Sequence, residues 1–152
     1  MEISEITKKY WTKEDWENLE KVESVGDLYI IAQNIISKMP KPFVQICGPI
    51  ATGGLGSFEA NLNAFNNTIK GLQKQGLNVF DQMPFEGSMQ KLKNNVISKS
   101  EIVNSILTDF YYPIFRSGYV SAFYFMPNWQ TSFGAKCEHE KVKELGIEIV
   151  YL

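Results

Sequence analysis

Tyr124-Phe125-Met126-Pro127-Asn128-Trp129-Gln130-Thr131-Ser132-Phe133-Gly134-Ala135-Lys136-Cys137-Glu138 is the stretch on which the reading of this chain turns. The aromatic and β-branched run from Val120 to Met126 predicts a buried strand that breaks at Pro127. Thr131 and Ser132 then open a helix expected from about Phe133 to Leu145, with Gly146 as its stop. Ser132 is the expected N-cap, where its hydroxyl and the free N–H groups can also meet a phosphate. Glu138 falls about one and a half turns inside, and i/i+4 spacing puts Gly134 on the same face. Glycine at that position leaves room for a flat or ring-shaped ligand against the carboxylate. Ligands of open α/β sheets bind at such a place, where the carboxyl end of a strand faces a helix N-terminus. On an ordinary amphipathic helix, Glu138 would instead be a solvated residue among Lys136, Glu140 and Lys141.

Working outward, Phe43 to Cys47 reads as the first core strand. It is followed by a glycine-rich loop from Gly48 to Ser57, in which Gly48, Pro49, Gly53 and Gly54 are candidate binding residues. Its glycines permit positive φ and close approach to a ligand. The loop is neither GxxxxGK[ST] nor GxGxxG, so it carries no Walker or dinucleotide fingerprint. A helix is expected from about Phe58 to Gln75, capped by Gly76, and then a second strand, Leu77 to Phe80. A short helix between Gly87 and Ser98 is weakened by Gly87 and the Asn94-Asn95 pair. A better supported one starts near Ser100, with Ile102, Val103, Ile106, Leu107 and Phe110 inward and Pro113 disturbing its end. Asp109 lies off that stripe, either as a second carboxylate at the same edge or as a solvated helix residue. Ile147 to Tyr151 makes a last strand.

Strands alternating with helices imply an α/β fold: a flavodoxin-like, Rossmann-like parallel sheet of four or five strands flanked by helices. The loops after Cys47, Phe80 and Met126 then emerge on one edge. Asn128 and Trp129, in the last of them, join the candidate binding residues. Residues 43–152 form this domain, and residues 1–42 read as an N-terminal two-helix extension packed on the core. In that extension Thr12 and Asp15 suggest a capping box, with Trp11 and Trp16 as a hydrophobic staple. Leu28, Ile31, Ala32, Ile35, Ile36 and Met39 repeat at helical spacing up to Pro40.

The 152 residues carry 15 Lys and Arg against 17 Asp and Glu, a net charge of −2 that offers no electrostatic reason to bind a nucleic acid polymer or an anionic membrane. Apolar runs are too short to span a bilayer, and the first residues lack the pattern of a signal peptide. Cys47 and Cys137, with no CxxC spacing and a single His139, suit a reduced cytoplasmic protein. They give no expectation of a zinc site, another metal or a cofactor. Paired carboxylates suit glycosidic cleavage, where one meets a cationic sugar centre and another manages protons. His139 points to a different face from Glu138 and reads as structural.

Ile46-Cys47-Gly48-Pro49-Ile50, Asp109, and the pattern W-x-x-S-x-G-A-x-x-E from Trp129 to Glu138 resemble the nucleoside 2-deoxyribosyltransferase-like superfamily, in particular its small bacterial and phage branch. Cys47 to Gly54 is also similar to the corresponding loop of the deoxynucleotide N-hydrolases. The resemblance covers about Phe43 to Leu152. It implies cleavage or transfer at the N-glycosidic bond of a 2′-deoxynucleoside or its 5′-monophosphate. It further implies Glu138 as nucleophile at the anomeric carbon, Asp109 as its support, Ser132 and the glycine-rich loop on the phosphate, and a homodimer. Gln45 and Ser121 stand where the family has a tyrosine and an aspartate. Those departures motivate a second expectation, a non-catalytic module that binds or senses a nucleotide. Gly53 to Glu59 separately resembles the GGxGTxxE motif of nucleotide phosphoribohydrolases, which would place the chemistry at Glu59.

Overall fold

The computed structural model describes all residues from Met1 to Leu152. Its centre is a three-stranded parallel sheet, β1 (Phe43–Cys47), β2 (Val120–Phe125) and β3 (Glu148–Tyr151), in that spatial order. Cys47 pairs with Phe125 and Phe125 with Tyr151, so β1 and β2 release their chains at the same edge. The segment expected as a further strand, Leu77 to Phe80, is reduced to a single parallel bridge, Val79 to Val44. Two hydrogen bonds flank it, Val44 N–H to the Asn78 carbonyl at 2.8 Å and Phe80 N–H to the Val44 carbonyl at 2.9 Å. The segment is squeezed between Gly76, at φ 88°, and a helix that begins at Met83, too little chain for a ladder.

Pleating divides the sheet's side chains between two cores. Phe43, Cys47, Phe123 and Phe125 face the larger one; Val44, Ile46 and Ala122 face the smaller one. The smaller core is closed by α4 (Phe58–Lys74), through Phe65, Ile69 and Leu72. The larger is closed by α2 (Lys13–Glu20), α3 (Val25–Lys38), α5 (Met83–Asn94) and the helical stretch 99–115, with Val142 of α8 (Phe133–Leu145). A row of rings runs through it: Trp11–Phe85 at 5.2 Å, Phe85–Phe110 at 5.1 Å and Phe110–Tyr111 at 4.9 Å between centroids.

The N-terminal helices share that core, since Leu28, Ala32 and Ile35 pack in one cluster with Phe43 and Phe123. A four-residue helix α1 (Glu5–Lys8) precedes the two that were expected. Thr12 and Asp15 form the capping box, and Asp15 also accepts from Asn34 Nδ2 at 2.6 Å and Lys38 Nζ at 2.9 Å, tying α2 to α3. Trp11 stacks on Trp16 at 4.2 Å. In α1, the Thr7 hydroxyl donates to Asp81 Oδ2 at 2.7 Å, while Asp81 Oδ1 accepts from Met83 N–H at 2.9 Å and so starts α5. Pro84 fits the first turn of that helix, where its missing N–H is harmless.

Between residues 99 and 115 the helix is not uniform. α6 (Lys99–Ser105) widens into a π turn over Ile106–Tyr111, and α7 (Tyr112–Phe115) follows. Pro113 accounts for the widening: it has no N–H to give and its ring crowds the carbonyl four residues back. The wide turn keeps Ile106, Leu107, Phe110 and Tyr111 buried and leaves Thr108 and Asp109 exposed.

In β1, Gln45 is fully buried and alternation puts it on the face of Phe43 and Cys47, yet neither end of its amide has a hydrogen-bond partner. Burying an unpaired amide is unfavourable. Gln45→Met, close in volume and without polar atoms, is expected to raise stability by about 1–3 kcal/mol in urea unfolding. A lower unfolding midpoint would show that the amide is not a liability.

Candidate active site

The two loops that leave the same sheet edge are stitched together. Gly54 N–H donates to Thr131 Oγ1 at 2.7 Å, and Phe133 N–H donates to Thr52 Oγ1 at 3.2 Å. Thr131 Oγ1 in turn donates to the Asn128 carbonyl at 2.6 Å. Asn61, buried at the start of α4, fixes the glycine-rich loop from inside. Its Nδ2 donates to the Ile50 and Gly53 carbonyls, and its Oδ1 accepts from Leu55 N–H at 2.9 Å. Gly53 and Gly54 both lie at positive φ, and a Cβ on either would collide, with Thr131 at Gly53 and with Asn61 and Pro49 at Gly54. These glycines are therefore needed for loop–loop contact, not only for flexibility.

Behind the stitched loops is a cavity of about 310 Å³. Gly48, Ile50, Ala51 and Thr52 wall it on one side, and Ser132, Phe133, Gly134, Ala135 and Glu138 of α8 on another. Gln82, Glu86, Met89 and Lys93 of α5 and Val103, Ile106, Leu107 and Tyr111 close it. A Cβ added at Gly134 would meet nothing within 4 Å. The space expected beside Glu138 is therefore present. Ser132 caps α8, its Oγ accepting from Ala135 N–H at 3.3 Å.

Two carboxyls share this enclosure. Glu138 is 7% exposed and its Oε2 has no hydrogen-bond partner. Burial pushes its carboxyl up to about 8, the Glu86 carboxyl adds to the rise, and the neighbouring Cys47 thiol partly offsets it. Glu86 is 4% exposed, and its Oε1 accepts from Gln82 Nε2 and from the Tyr111 hydroxyl, each at 3.0 Å. Burial raises Glu86 as well, against those two hydrogen bonds and Lys93. An apolar enclosure with coupled carboxyls retains a proton at neutral pH and favours positive charge arriving from a ligand.

The expected site residues divide into two groups. Gly48, Ser132, Gly134 and Glu138 line the cavity; Pro49, Gly53 and Gly54 support it from the loop behind. Asn128, at φ 64°, and Trp129 lie on the far side of the loop, where Trp129 stacks on His139 at 4.0 Å. His139 Nε2 and the Tyr151 hydroxyl are 2.7 Å apart, and burial lowers the imidazole's pKa. Asp109 does not reach the cavity: the π turn sends it outward, where it accepts from Ser105 Oγ at 2.7 Å and Thr108 Oγ1 at 3.1 Å. Glu59 is exposed at the start of α4, outside the cavity. The second carboxyl is Glu86, which the sequence reading passed over. The signal was there in the i/i+4 spacing of Gln82 and Glu86 after the second strand segment, obscured by Pro84 and Gly87.

The Glu138 carboxyl binds its proton more tightly in the folded protein than in the unfolded chain. Its contribution to stability therefore declines as pH rises from about 4.5 to about 8 and stays low above that. Glu138→Gln is expected to flatten this decline and to exceed the parent's stability at pH 8.5 by on the order of a few kcal/mol. Thermal unfolding across pH 4 to 9 measures it, and a variant never more stable than the parent at alkaline pH would refute the burial account. No protein-family model, curated protein or solved structure matches this chain.

Proposed function

We propose that the cavity binds a 2′-deoxynucleoside or its 5′-monophosphate and cleaves or transfers at the N-glycosidic bond, with Glu138 at the anomeric carbon. The observation that carries this reading is the buried, unpartnered Glu138 oxygen beside a second carboxyl, in an apolar enclosure open enough for a ring. The similarity of Trp129 to Glu138 to the deoxyribosyltransferase-like pattern supports it, as does the meeting of Ser132, Gly134 and Glu138 at one wall. The finer fold of that family, a flavodoxin-like sheet of four or five strands, belongs to the same proposal and is supported by the Val79–Val44 bridge.

In the proposed reaction the bond between the base nitrogen and the anomeric carbon breaks, its electrons going to the base. Positive charge grows on the sugar carbon against Glu138, in surroundings that strengthen the attraction. The proton held by the Glu138–Glu86 pair passes to the departing base, and the Glu138 carboxylate stabilises or bonds to the carbon until water or a second base replaces it and returns a proton to the carboxyl pair. A 5′-phosphate would sit toward the N-terminus of α8, near the Ser132 hydroxyl and the half-buried Lys93. A homodimer completing the site is part of this reading; the half-exposed Phe133 at the cavity is the group a neighbour would cover.

A second reading, a nucleotide-binding module without turnover, is favoured by the exposed position of Asp109. Ser121 also falls at a register shift at the far end of β2, where its side chain is exposed. Incubation with a panel of deoxynucleoside monophosphates, followed by chromatography for free base, separates the two. Release of base that drops at least about 100-fold in Glu138→Ala and changes less than about threefold in Asp109→Ala is the expected result. Micromolar binding with no release supports the sensing module. Neither binding nor release would remove both.

A further inference from the structure

Within the cavity two donors are committed to one carboxyl oxygen, and a neighbouring acceptor is left over. Tyr111 O–H and Gln82 Nε2 both give their protons to the same oxygen of Glu86. Gln82 Oε1 is buried without a partner, although Gln82 is only 4% exposed and lines the cavity. The amide cannot turn over to cure this. A flip would set Oε1 against Glu86 Oε1, which already accepts from the Tyr111 hydroxyl. A buried acceptor on a cavity-lining residue, with its orientation set by a second residue, suits a ligand that brings its own N–H or O–H.

We infer that Gln82 and Glu86 read the base of the ligand, and select one that carries an exocyclic amino group next to a ring nitrogen. This rests on the nucleotide reading of the cavity. The amino group donates to Gln82 Oε1. The free oxygen of Glu86 meets the adjacent ring nitrogen, as an acceptor where that nitrogen bears hydrogen (guanine) or as a protonated donor where it does not (adenine, cytosine). Bases with a carbonyl in the amino position set oxygen against oxygen at Gln82 and are rejected. Uracil and thymine present that mismatch, and hypoxanthine lacks the amino group of either purine. Met89, Ile106 and Leu107 supply the apolar walls for the ring faces.

Matched pairs of deoxynucleoside monophosphates test this by calorimetry: guanine against hypoxanthine, adenine against hypoxanthine, cytosine against uracil. Glu138→Gln replaces the parent wherever turnover disturbs the measurement. In at least one pair the amino-bearing member is expected to bind about tenfold tighter or more, because a site built around a hydrogen bond penalises its loss. Gln82→Met, which removes the acceptor at similar volume, and Glu86→Gln are each expected to shrink that ratio to about threefold or less. Ratios compare two ligands on one protein, so a general loss of affinity in a variant leaves the readout intact, and the wild-type ratios need no variant. Equal or tighter binding of the oxo members in every pair overturns the inference while leaving the nucleotide reading standing. A preference that survives unchanged in both variants overturns the assignment to Gln82 and Glu86. Binding of none of the six overturns the nucleotide reading and this inference with it.

Discussion

The parallel pairing of β1 with β2 is the constraint on which the rest depends. Parallel strands must each leave at the same end of the sheet, and the register that sets Cys47 beside Phe125 brings the two following loops within hydrogen-bond reach. Everything at the candidate site follows from that adjacency. The loop from Gly48 forms one wall, α8 descends from the other loop to form the second, and Glu138 is carried inward to the level of Cys47. Were the strands antiparallel, the two loops would lie at opposite edges and no such enclosure would form.

The carboxyl pair is held there at the expense of stability. The buried hydrophobic residues supply ample apolar surface, so the fold tolerates a few groups that work against it. Three of those groups, Glu138, Glu86 and Gln82, meet in one cavity, whose floor is close to the row of rings from Phe85 to Tyr111. Rigid aromatic packing behind them restricts the carboxyls from swinging out to water. An enclosure of this kind spends folding energy on preorganisation, as sites that stabilise charge commonly do.

Much of this was legible from residue patterns. The strand–loop–helix from Tyr124 to Glu138 announces itself by an aromatic run, a proline break and a serine cap, all local effects. The α/β class, α4 with its glycine stop, and the space beside Glu138 at Gly134 follow from the same reasoning. The second expected strand is reduced to one bridge, because Leu77 to Phe80 is shortened by its neighbours rather than by its own composition. Glu86 stands in the place expected for Asp109 for a similar reason. A π turn forced by Pro113 rotates one outward, and a helix starting earlier than Gly87 suggests carries the other inward. Helical phase across a proline, and pairing between distant carboxyls, are tertiary properties that no local window contains.

The strand order also governs when the site can come into being. As the chain is made, α3, β1, α4 and α5 all emerge before Val120, so β1 has no ladder partner until more than three quarters of the chain exists. Phe43, Phe80 and Phe85 can cluster against α3 in that interval, but the loop from Gly48 has nothing to bond to until Thr131 appears. Long-range parallel pairing of this kind is slow to nucleate. Glu138 comes last of the cavity's carboxyls, on the final helix of the chain, after Phe43, Phe80, Phe85 and Glu86 are already present.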